Sequence, residues 1–172
     1  MKWFDFTVLG IVLVIIIVQT IRGGKGMGLI LLEAIGLLGC AKLATSVYES
    51  ASRAIAISPQ LAFAGIFVLS AIIWLIIASI LHNYTQWSWG GFDFFFSFIF
   101  GVVCAWTVGH MFLRFLIILY GPNSVPASSI MESPVTKEIL YFKTFTALFN
   151  LLNRARLAPE PITPEKVLER GQ

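Results

Sequence analysis

LAFAGIFVLSAIIWLIIASIL, residues 61–81, runs for 21 residues without a charged side chain. About 20 apolar residues in a helix cross the hydrocarbon core of a bilayer, whereas a barrel strand needs only about 9–11. Backbone groups in lipid must all be bonded within the protein, so a run this long and uniform predicts a membrane-spanning helix. Ser58-Pro59 just before it suits a helix start. Three further runs flank it. Residues 4–21 carry no charge after Asp5, and residues 27–47 are interrupted by Glu33 and Lys42. Residues 94–120 hold His110 and Arg114 in their second half and stop at Gly121-Pro122-Asn123, a breaker cluster. That last run exceeds a core of about 30 Å and must tilt, kink or protrude. The expected fold is all-α: an integral membrane four-helix bundle over residues 1–121, with spans of about 4–21, 27–47, 61–81 and 94–120.

Composition agrees. Of 172 residues, 58% are hydrophobic and 12% charged, against about 25% charged in a soluble domain. Mean hydropathy is +0.86. These values exclude a soluble enzyme domain, a disordered linker and a nucleic-acid-binding module. The 12 basic residues exceed the 9 acidic ones by a net +3 but are scattered, so they form no polyanion patch. Two cysteines make no disulfide framework. The first run has the length of a signal peptide's core. It is followed, however, by Arg22-Gly23-Gly24-Lys25-Gly26 and no small-residue cleavage site, so it is expected to be retained as a span.

The third connection, residues 82–93, holds Trp87, Trp89 and Phe92 and is expected to lie flat at the headgroups. One side of the bundle collects Lys2, Lys42, Arg53, Arg114 and the tail, and the other Arg22 and Lys25. That bias favours both termini in the cytoplasm. The tail reads as a loop over 122–133, then a helix over 134–154 opened by Ser133-Pro134. Val135, Ile139, Phe142, Phe145, Phe149 and Leu152 make its apolar side, with Lys143, Thr146, Asn150 and Arg154 opposite. Such an amphipathic C-terminal helix lies in the interface plane or packs under the bundle. Residues 155–172, with Pro159, Pro161 and Pro164, are expected to be flexible unless a partner holds them.

The candidate polar sites inside the spans are Glu33, Lys42, Asp93, His110 and Arg114. Glu33 and Lys42 are nine residues apart and so lie on opposite helix faces. Glu33 therefore needs a partner on another helix or a wet pocket, while Lys42 and Arg114 can snorkel. Interhelical glue and interface anchoring weigh against an ion pathway. His82 and His110 differ in depth by roughly 25 Å, which rules out a shared haem. His110 stays a candidate single ligand to a pigment, although Trp106 fills the preceding turn where a macrocycle needs space; a hydrogen-bonded core histidine is the simpler reading. Cys40 and Cys104 read as small apolar fillers, and no metal-ligand set or nucleophile–base pair is visible.

The strongest pattern is a row of small residues, Ser97, Gly101, Ala105 and Gly109, at every fourth position, with Asp93 starting the same row. Gly36, Cys40 and Ala44 form a second row. Rows of this kind let helix backbones approach closely in lipid. They predict that the second and fourth spans meet, or that one row faces a second copy or another subunit.

Trp3-Phe4-Asp5, Arg22-Gly23, Gly90-Gly91-Phe92-Asp93 followed by Ser97, Gly101 and Ala105, and Ser133 together resemble the colicin V production protein (CvpA) family of four-span bacterial inner-membrane proteins. The similarity covers roughly residues 3–152. The motif residues match the family's W-x-D start, its R-G turn, its G-x-x-D-R-x-x-G-x-x-x-G-x-x-R-G block and its later serine. Phe94 stands where the family has arginine, Ser97 where it has glycine, and Cys104-Ala105 where it has R-G. The resemblance implies a role in toxin production or export and in envelope homeostasis, with no settled biochemical activity and no catalytic residues; no cofactor is expected. The expected function is that of a non-enzymatic scaffold or accessory subunit packed against other integral membrane proteins or a second copy of itself. One rival is a small channel or transporter component using Glu33, Lys42, His110 and Arg114. Another is a pigment- or haem-associated subunit with His110 as ligand.

Overall fold

A computed structural model describes residues 3–121 and 123–141, which belong to one compact unit. The long helices are α1 (Trp3–Arg22), α2 (Met27–Ile55), α3 (Pro59–Thr85) and α4 (Asp93–Tyr120), followed by the short α5 (Val125–Glu132) and α6 (Pro134–Tyr141). Single 3-10 turns, Gly23–Lys25 and Gly90–Phe92, precede α2 and α4. The four long helices are long and apolar enough to cross a bilayer, and no strand occurs among the described residues. The chain is a multi-pass membrane protein with an all-α bundle fold.

Local chemistry sets the breaks. Gly26 turns the chain into α2 at φ +120°, a conformation that suits glycine. α2 continues to Ile55, beyond the expected end at Val47, because no breaker intervenes. It stops where Ala56 adopts a left-handed conformation and its N–H bonds the carbonyl of Ser52. Ser58 is then extended, and Pro59 opens α3 at its first turn. At about 1.5 Å per residue, the 29 residues of α2 span about 43 Å. The α2–α3 hairpin thus projects beyond a core of about 30 Å at its connecting end.

The packing order is α1 on α4, α4 on α2, and α2 on α3, leaving α1 and α3 on the outside. Phe4, Val8 and Val12 of α1 bury against Ala105, Leu113 and Leu116 of α4, joined by Ile130 of α5 and Ile139 of α6. Ala34 and Leu37 of α2, Ala71 of α3 and Cys104 of α4 form a second cluster, and Ala44, Phe63 and Met111 a third. The outward faces of α1 and α3, including Leu13, Ile17, Leu69 and Ile73, are exposed apolar surface suited to acyl chains.

The expected loop over 122–133 is corrected: most of it is the helix α5. Ser124 caps it by accepting from the Ala127 N–H at 3.2 Å, and Pro126 falls in the first turn, where its missing donor costs nothing. Ala127 and Ile130 are buried. The start of the expected tail helix, α6, packs on the bundle with Thr136 and Ile139 buried. The remainder of that helix, 142–154, and the tail 155–172 lie outside the described residues. Trp87, Trp89 and Phe92 are all exposed.

Candidate functional site

Glu33 is completely buried, one and a half turns into α2. Its carboxylate accepts from Arg22 Nη2 at 2.7 Å on one oxygen, and from Arg22 Nη1 at 3.1 Å and Gln19 Nε2 at 2.7 Å on the other. Arg22 Nη1 also donates to Gln19 Oε1 at 3.2 Å. The interhelical partner that Glu33 requires is therefore on α1. The two-pronged arrangement matches the planar guanidinium fork to the carboxylate. Gln19 and Arg22 sit three apart at the end of α1, so they share one face. Arg22 keeps 39% of its side chain exposed while Glu33 has none, so the pair has a wet side and a dry side.

Behind this pair, Gly23 lies against Ser97, the first member of the small-residue row on α4. A Cβ at Gly23 would overlap the Ser97 side chain. Gly101 faces Gln19, with 3.0 Å between an added Cβ and the Gln19 Cβ, and Gly109 faces Val12, Val8 and Ile139. The whole row from Ser97 to Gly109 is buried, and it faces α1 and α6. The second row is also buried but serves α3: a Cβ at Gly36 would overlap the indole of Trp74, whose Nε1 donates to the Leu32 carbonyl at 2.8 Å. Cys40 and Ala44 continue that row, and Ala44 meets Phe63 and Met111. α2 and α4 do touch, through Ala34, Leu37 and Cys104, but the two rows do not face each other. The Trp74 indole fills the groove at Gly36, whereas the row on α4 takes Gly23, Gln19 and Val12.

Asp93 organises the same end of the bundle. Its carboxylate accepts from the Trp89 N–H at 2.7 Å, the Met27 N–H at 3.4 Å and the Ser88 hydroxyl. The Gly28 N–H adds a bond to the Trp87 carbonyl at 3.2 Å. Met27 and Gly28 begin α2, so their N–H groups are among those a helix leaves unpaired. The tryptophan-bearing connection thus caps α2 while Asp93 closes the connection on itself. Close approach here depends on Gly28, where a Cβ would come within 2.9 Å of the Trp87 carbonyl.

At the opposite end, Asp5 is completely buried in the first turn of α1, and the Ser133 hydroxyl donates to it at 2.7 Å. This bond ties the junction of α5 and α6 to α1. Beside it, His110 and Arg114 of α4 line a cleft of about 480 Å³ with Tyr48 of α2. Lys42 is exposed on the outside of α2. Of the four residues a channel would use, His110 and Arg114 share a cavity. Glu33 is held at the other end, and Lys42 faces outward. Cys40 and Cys104 are buried free thiols. Among the described residues, no three metal-ligating side chains cluster.

Three participants escape a reading of the sequence: Gln19, Trp74 and the inward turn of Arg22. Gln19 offered one signal, a lone amide in an otherwise apolar run one turn before an arginine. Trp74 offered another, because an indole N–H within a span must find an acceptor. Comparison of the chain with models of known protein families, with curated proteins and with solved structures found no match in any of the three.

Proposed function

We propose that the chain is a non-enzymatic accessory subunit or scaffold of a bacterial inner membrane, resembling the CvpA family, with both termini in the cytoplasm. The observation that carries this reading is how its polar groups are used. Asp5, Arg22, Glu33 and Asp93 are each consumed by a contact that fastens one element to another. The resemblance gains support from the same contacts, because motif residues far apart in sequence meet in space. Asp5 of the opening motif holds Ser133, and Gly23 of the R-G turn abuts Ser97 of the last block. Lys42, Arg53, Arg114 and Lys137 at one end against Arg22 and Lys25 at the other support the orientation.

The outer helices α1 and α3 leave between them a groove of about 340 Å³, walled by Val14, Val18, Val68 and Ile72 and floored by Leu37 and Cys104. A neighbouring span seated there completes the bundle. Gentle detergent extraction followed by native mass measurement tests the proposal. The expected result is a complex with companion chains or a second copy, weakened when Ala71→Leu fills the groove. A strictly monomeric species without companions would count against it.

A further inference from the structure

Arg114 is a charged group that the fasteners leave unassigned. It is exposed, lies six residues before the end of α4, and makes no ion pair or hydrogen bond among the described residues. A cation at this depth of a span pairs, or reaches for the headgroups. The cleft beside it is walled by Phe63, Ile117, Met131 and Leu140. Its volume of about 480 Å³ suits a bound small molecule. A second cleft, of about 620 Å³, adjoins it through Tyr48, Glu49, Ile117 and Ile118 and extends to Arg53 and Gln60.

The electrostatics of this trough are positive. Glu49, the one carboxylate among the described residues that line it, pairs with Arg53 at 3.5 Å and accepts from the Tyr48 hydroxyl at 3.0 Å. Arg114 therefore has no ion-pair partner there among the described residues. In the second cleft the Gln60 Oε1 is buried without a hydrogen-bond partner among the described residues, and such an acceptor calls for a donor. The trough thus presents an unpaired guanidinium, a buried acceptor and apolar walls.

We infer that this trough binds an acidic phospholipid: Arg114 takes the phosphodiester, Gln60 accepts from a headgroup hydroxyl, and the apolar walls take the acyl chains. Guanidinium and phosphate oxygens form charge-assisted, two-pronged hydrogen bonds. Basic pockets between membrane helices are suited to anionic headgroups. A soluble phosphate would meet the same guanidinium but gains nothing from Ile117, Met131 or Leu140, so the walls point to lipid.

The test is native mass spectrometry of the purified chain, delipidated in detergent and titrated with phosphatidylglycerol or phosphatidylcholine. Both lipids offer the phosphodiester, but choline brings a fixed cation that Arg114 repels and no hydroxyl for Gln60, so phosphatidylglycerol should bind about tenfold more tightly. Arg114→Gln should remove most of that preference, and the outward-facing Lys42→Gln should leave it intact. Glycerol 3-phosphate should fail to displace the lipid. Equal binding of the two lipids by the wild-type chain would overturn the inference without recourse to any variant. So would an unchanged preference in Arg114→Gln, or displacement by glycerol 3-phosphate, which would point to a soluble anion.

Discussion

The Arg22–Glu33 pair makes an asymmetric prediction. Replacing Arg22 by Leu strands a carboxylate with no exposure at all, leaving only Gln19 to solvate it. Breaking a buried pair from one side in this way costs roughly 3–5 kcal/mol. Arg22 was itself 39% exposed, so part of its own desolvation is recovered, and the lower end, about 3 kcal/mol, is expected. Replacing Glu33 by Leu is milder. Arg22 already reaches the wet side and can turn to the headgroups, so a loss of about 1 kcal/mol is expected. Replacing both by Leu removes both desolvation costs and leaves only Gln19 short of partners, worth about 0.6 kcal/mol in lipid. The double variant should therefore be more stable than Arg22→Leu and lie within about 1 kcal/mol of the wild type. The coupling between the two sites should be about 3 kcal/mol. The assay is reversible unfolding by SDS in mixed micelles, followed by far-ultraviolet circular dichroism for the four proteins of the cycle. A coupling below about 0.5 kcal/mol, the scatter expected of independent sites, would refute the buried pair. So would a larger loss in Glu33→Leu than in Arg22→Leu.

Three further outcomes follow from the packing. Gly36→Ala should cost about 2 kcal/mol by displacing the Trp74 indole and breaking its bond to the Leu32 carbonyl; a shift in tryptophan fluorescence should accompany it, whereas Gly39→Ala, with nothing within 4 Å, should be neutral or slightly stabilising. Gly101→Leu should push Gln19 and α1 away from α4, costing about 1–3 kcal/mol and loosening the Glu33 cluster, and an unchanged unfolding midpoint would show that the row carries no contact. Asp93→Ala should leave the Trp89 and Met27 N–H groups unpaired at a cost of about 1–3 kcal/mol, read as faster amide hydrogen exchange at those two residues with α3 unaffected.

Hydrophobic run length alone specified the spans, since lipid demands about 20 apolar residues and internally bonded backbone wherever the chain crosses. Thus residues 61–81 announced α3, and the Gly121-Pro122-Asn123 breaker announced the end of α4. Helix ends were less readable. α2 ran on to Ile55 because apolar content, which marks the membrane, is not what stops a helix. α5 was hidden because Ser124-Val125-Pro126 suits a helix cap and a loop equally well.

Neighbour choice came from three dimensions. A row such as Ser97, Gly101, Ala105 and Gly109 declares that some helix can come close, but small side chains are alike to every neighbour and carry no address. The address lay in what fills the groove: Gln19 and Val12 of α1 on one row, the Trp74 indole on the other. Glu33 likewise declared its need for a partner, because a buried charge cannot stand alone. That the partner was Arg22, turned inward instead of toward the headgroups, depended on the turn at Gly23–Lys25 carrying α2 back beside the end of α1. Burial cost is a property of one residue and can be read from its type and position, whereas a contact is a property of two and exists only once the chain has been folded back on itself.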